Sequence, residues 1–171
     1  MKRLDILVEK VSNVFGYLSG WLVPLMVLLV FFEVFMRYVV RRPPLIADEM
    51  GAYMLVAMSF LGVAYTWREK GHVRITALVS RLPVKMASWL RLVMLFLAFI
   101  FIAGLIQANY DYLVTSFKFG MVSNSWLRTP LQGPQITVAV GFIILSLLIL
   151  VDISRTIKNI RSGKNVEETT E

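Results

Sequence analysis

The chain has 171 residues, 57% of them hydrophobic and only 17% charged, with a formal net charge of +7 and a mean hydropathy of +0.69. Such a composition cannot be solvated as an ordinary soluble domain, so the sequence reads as an all-α integral membrane protein. Cysteine is absent, which excludes disulfides, thiolate metal sites and dithiol–quinone exchange.

Four apolar stretches, 14–36, 50–67, 89–108 and 135–151, are long enough to cross a hydrocarbon core about 30 Å thick at about 1.5 Å per residue. Each can satisfy its own backbone only as a helix. The connections are short and leave no room for a water-soluble catalytic domain. Residues 1–171 therefore read as one four-helix membrane domain, not an enzyme. The first run follows Lys2 and Arg3, as in a signal peptide, but it is too long for an h-region and lacks a small-x-small cleavage site, so it reads as retained.

Glu33 and Arg37 lie one turn apart at the far end of this run. A charge at a helix centre costs roughly 2.5–3.5 kcal/mol on insertion scales, so these groups need partners. Their spacing suits a helical ion pair; the sharper alternative is a proton-coupled carboxylate. After Pro43 and Pro44, Asp48 and Glu49 open the second span as an acidic first turn favoured by the helix dipole, which explains one acid better than two. Along this span Asp48, Ala52, Leu55, Ser59, Gly62 and Thr66 fall in one stripe at about 100° per residue. Lipid gains nothing from small and polar residues, whereas a packed helix does. That helix is expected either within this chain or in a second subunit.

Beyond Trp67 and Arg68 comes His72, the only histidine, which excludes bis-histidine haem ligation by this chain and leaves a metal site short of ligands. It reads as a hydrogen-bonded elbow residue. Ile75, Leu78, Val79 and Leu82 then recur at helical spacing, which predicts a short amphipathic helix in the membrane interface over 73–82, ended by Pro83. The alternative is a plain linker whose apolar residues bury against the bundle. Asp111 and Asp152 fall at span ends, where solvation or a base such as Arg155 accounts for them. Residues 155–171 form a polar tail.

Lysine and arginine set the orientation. Three in the amino-terminal flank, six between spans 2 and 3 and four in the tail stand against three and two in the other connections, 13 against 5 of all 18. Both termini are therefore expected in the cytoplasm. Trp67 and Trp89 then sit at the cytoplasmic boundary, with Tyr38, Tyr110, Tyr112 and Trp126 near the outer one. The basic excess is strung along membrane flanks, which suits anionic lipid and not nucleic acid.

The order of these parts carries more than any one of them. Glu33-Val-Phe-Met-Arg37, then Ala47-Asp48-Glu49, then Phe60-Leu61-Gly62-Val63-Ala64, then Trp67-Arg68-Glu69-Lys70-Gly71-His72-Val73 resembles the DctQ-like small membrane subunit of tripartite ATP-independent periplasmic (TRAP) transporters. Thr129-Pro130-Leu131 with Gln135 and Gly141 is similar to the family's lead into its last span, so the resemblance covers roughly residues 10–155. One departure is Leu45 and Ile46, where the family often carries a tryptophan before its acidic pair.

The resemblance implies a multi-pass subunit of the bacterial or archaeal cytoplasmic (inner) membrane. Its implied partners are a large multispan permease subunit, a periplasmic substrate-binding protein and membrane lipid. It would be a fixed scaffold for cation-gradient-driven uptake of organic acids, without cofactor, metal or catalytic residue. Glu33, Arg37, Asp48, Glu49, Ser59, Gly62, Arg68 and His72 are then expected to orient the helices or contact the large subunit. The competing classes are a small multidrug-type proton-coupled exporter, which would act alone, and a membrane anchor subunit of a redox complex, which would need haem ligands.

Overall fold

The computed structural model describes residues 2–69 and 83–162. They form four long helices: α1 (Lys2–Phe35), α2 (Ala47–Arg68), α3 (Val84–Phe119) and α4 (Gln132–Ser162). A π-helical turn, Met36–Val40, prolongs α1. All four are long and apolar enough to cross a membrane, over Lys10–Val40, Ala47–Arg68, Met86–Phe119 and Gln132–Arg161. The only β pairing among the described residues is one isolated bridge, Val122 with Pro130.

The helices outrun the apolar stretches that announce them. The third, expected over 89–108, continues to Phe119, because Asn109, Asp111 and Thr115 do not break a helix. The Thr115 hydroxyl donates back to the Asp111 carbonyl at 2.8 Å. What ends α3 is Gly120, whose φ of +56° suits a residue without Cβ. The fourth, expected over 135–151, spans Gln132–Ser162, so 155–162 of the expected polar tail is helical. Hydropathy marks the buried length of a membrane helix, not its caps. Pro83 stands at the N-cap of α3. His72 and the interfacial helix expected over 73–82 lie outside the described residues.

In space the helices form an open row, α1–α2–α4–α3, with α2 packed on α1 and α4, and α4 packed on α3. Two glycines permit the closest approaches. A Cβ on Gly141 would stand 2.4 Å from the Phe60 carbonyl oxygen, and one on Gly16 would stand 2.5 Å from the Tyr65 ring. Phe60 and Phe142 meet edge to face at 5.1 Å beside the first of these. Leu145, Ile149 and Ile153 of α4 pack on Leu95 and Ile102 of α3, while Ile144 and Leu148 close on Ala64 of α2. In hydrocarbon this close packing, more than any hydrophobic driving force, holds helices together.

The stripe on α2 does not pack within the chain. Only Gly62 meets a neighbouring helix, at Ser19 of α1, whereas Asp48, Ala52, Leu55, Ser59 and Thr66 are exposed. The reason is geometric: α1 and α4 flank α2 and leave this face outward.

Candidate functional site

The side-chain bonds described between different elements cluster at the two ends of the helices. At the end bearing the α1–α2 connection, Glu33 is 4% exposed and Glu49 6% exposed, the two buried carboxylates among the described residues.

Glu33 sits one turn before the π-helical segment. Its Oε1 accepts from Arg37 Nη2 at 2.7 Å, an i, i+4 ion pair whose cation remains about half exposed. Its Oε2 accepts the backbone N–H of Ala47, the first residue of α2, at 2.6 Å. The need for this bond is visible in the sequence. The N-cap of α2 is Ile46, which has no side-chain oxygen to offer the free N–H groups of the first turn. A carboxylate from α1 fills that role and sits where the dipole of α2 favours it. The connection reaches this geometry through Arg41 and Leu45, both at positive φ (59° and 54°), on either side of Pro43-Pro44.

Glu49 lies in the first turn of α2. Its carboxylate accepts the hydroxyls of Tyr53, at 2.8 Å, of Thr129 and of Ser125. Thr129 and Tyr53 hydroxyls approach within 2.9 Å, drawn together by the same acceptor. Two of these donors come from the α3–α4 connection, which is a small hairpin. Ser123 N–H donates to the Thr129 carbonyl at 2.9 Å, and Leu131 N–H to Met121 at 3.2 Å. Its tip turns through Ser125 and Arg128, with Arg128 at φ 47° and Trp126 85% exposed. One anion thus fastens an irregular connection to a helix.

The opposite end is tied by α2 again. Trp67 Nε1 donates to Asp152 of α4 at 3.1 Å, and Arg68 donates to Asn13 of α1. Arg68 also lies 3.6 Å from Glu69.

The structure therefore brings Glu33 and Arg37 together and separates Asp48 from Glu49. Asp48 is exposed and makes no hydrogen bond or ion pair among the described residues, and Ser59 is likewise exposed. Asn13, Tyr53 and Ser125 carry no mark in the sequence, and Thr129 enters only through the family resemblance, without a role. The one available signal was the density of hydroxyls in Ser123-Asn-Ser125 and Thr129, facing an unexplained second acid. Among the described residues no three His, Cys, Asp or Glu side chains converge as metal ligands do.

Comparison with known proteins places these features. A protein of Haemophilus influenzae named as a TRAP transporter small permease protein is 37% identical over 59 residues, covering 34% of this chain and 37% of that protein. The match spans little more than a third of that relative's length. The family described as the DctQ component of tripartite ATP-independent periplasmic transporters matches residues 26–159. Running from the last third of α1 to the last turn of α4, that match takes in α2, α3 and both carboxylate ties, and the chain belongs to this DctQ family.

Proposed function

We propose that the chain is the small permease subunit of a TRAP-type secondary transporter. It is a stationary scaffold for a large multispan permease subunit that receives organic acids from a periplasmic binding protein and moves them inward on a sodium or proton gradient.

The employment of the buried carboxylates carries this reading. A coupling carboxylate must release its partners once per cycle to take up a proton or cation. Glu33 cannot do so without uncapping α2, and Glu49 cannot without freeing the α3–α4 hairpin. These acids brace the fold, which suits a support and argues against an exporter built on Glu33. Membership of a family described as one component of a tripartite system, and the name of the Haemophilus relative, support the same assignment.

In this reading residues 1–171 act as one unit of the inner membrane with both termini cytoplasmic, and 73–82 lie in the cytoplasmic interface. Glu33, Arg37, Glu49 and Arg68 hold the helices in place. Asp48, Ser59 and the outward face of α2 are left for other subunits, and His72 serves the cytoplasmic elbow. The decisive experiment is reconstitution in liposomes of this chain alone, the large subunit alone, and both together with the binding protein, following labelled organic-acid uptake under an imposed sodium or proton gradient. Uptake is expected only with the complete set. Solute movement by this chain alone overturns the proposal.

A further inference from the structure

Glu33 and Glu49 are buried alike, but only Glu33 has a cation beside it. Glu49 makes no ion pair among the described residues, and its polar neighbours are the hydroxyls of Tyr53, Ser125 and Thr129. A buried charge without a counter-charge is costly even where hydroxyls donate to it. Hydrogens are also too few. Tyr53 OH stands 2.8 Å from Glu49 Oε1 and 2.9 Å from Thr129 Oγ1, and Thr129 Oγ1 is itself in contact with Oε1. A hydroxyl brings one hydrogen and an ionised carboxylate none, so two hydrogens serve three oxygen–oxygen contacts. With each hydrogen aligned on one acceptor, the remaining contact sets lone pairs against lone pairs. The charge balance and the hydrogen count, taken separately, ask for one more positive charge in the same place.

A proton or a metal ion can supply that charge. Glu49 lies in the first turn of α2, where the helix dipole suits a carboxylate anion, which favours the metal ion. The donors are those of a hard cation: one carboxylate and three hydroxyls, with no nitrogen or sulfur among them. One acid balances a monovalent ion and not a divalent one, and the neighbouring Asp48 is exposed and does not join the cluster. Oxygens already 2.8–2.9 Å apart accommodate a small ion more readily than potassium. We infer that Glu49, Tyr53, Ser125 and Thr129 form a sodium site, whose ion fastens the α3–α4 hairpin to the start of α2. The ion is a static brace and not a coupling ion, since its ligands are the groups that hold the hairpin. The inference stands on this chain alone and does not depend on the proposed function.

The test uses the full chain in detergent, with sodium chloride exchanged for choline chloride at constant ionic strength. Sodium should raise the melting temperature along a saturating curve. It should also slow backbone hydrogen exchange over 120–131 by roughly threefold or more. Radiolabelled sodium should bind the chain and be displaced by unlabelled sodium but not by choline. Potassium should act only at roughly tenfold higher concentration, and calcium and magnesium should not replace sodium. Glu49→Gln removes the charge and should abolish the sodium response. Ser125→Ala and Thr129→Val keep the carboxylate and should each move the sodium curve to roughly tenfold higher concentration; they carry the test if Glu49→Gln does not fold. Glu33→Gln should respond to sodium as the unaltered chain does. Equal melting and exchange in sodium and choline, with no labelled sodium bound, overturns the inference. So does a sodium response left unchanged by the Glu49, Ser125 and Thr129 substitutions, which would put the ion elsewhere. A carboxylic-acid band in the infrared that disappears in Glu49→Gln would put a proton where the ion is assigned, and overturns it equally.

Discussion

Ile46 stands where α2 begins with no oxygen to offer, and Glu33 reaches across from α1 to supply one. Glu33→Gln keeps an acceptor for the Ala47 N–H but removes the charge that Arg37 pairs with, whereas Glu33→Ala removes both. In detergent the melting temperature should fall for each and fall further for alanine. A larger loss for glutamine would show that the charge, and not the cap, matters most. The acidic pair divides in the same way. Glu49→Ala should release the hairpin and speed backbone hydrogen exchange over 120–131 by roughly tenfold. Asp48→Ala should leave exchange and melting unchanged and act only on recovery of the large subunit. At this scale the sequence was half legible. Spacing alone paired Glu33 with Arg37, because i, i+4 geometry is local. The bonds from Ala47, Ser125 and Thr129 are not, since they join residues up to 80 apart in the chain, and no periodicity encodes them.

Elements show a similar boundary between what local patterns determine and what packing decides. The four spans were plain from hydropathy, but helix ends were set by Gly120, by Pro83 and by the Glu33 cap, which act through backbone conformation and hydrogen bonding and not through hydropathy. Of the stripe on α2 only Gly62 packs within the chain, because small residues at helical spacing mark a face without saying which helix will cover it. The informative glycine was Gly141, where α4 meets the backbone of α2. Gly141→Ala must push apart Phe60 and α4, since a carbonyl oxygen cannot rotate aside as a side-chain tip can, and should cost about 1–3 kcal/mol. Gly104→Ala meets nothing and should be neutral or gain up to about 1 kcal/mol from helix propensity. Thermal melts of the two variants side by side check this, and equal behaviour would remove the significance given to the α2–α4 crossing.

For the whole molecule the missing cysteines are an advantage, because a single introduced thiol reports its own side of the bilayer. Trp126→Cys at the hairpin tip should react with an impermeant maleimide in intact spheroplasts, while Arg161→Cys near the end of α4 should react only after lysis. The reverse pattern would invert the orientation read from basic residues. The row α1–α2–α4–α3 also explains why hydropathy was more legible than architecture: hydropathy is a sum along the chain, whereas the neighbour relation of α2 and α4 skips an element.

The π-helical turn at Met36–Val40 holds one residue more than an α-helical turn would need. Deleting a single residue there would tighten the helix and swing everything beyond it by about 100° around the axis, carrying Ala47 away from Glu33. The extra residue works as a spacer that sets the phase at which the returning strand of chain leaves the first helix. Insertions or deletions should therefore be tolerated at the Trp126 tip and not here.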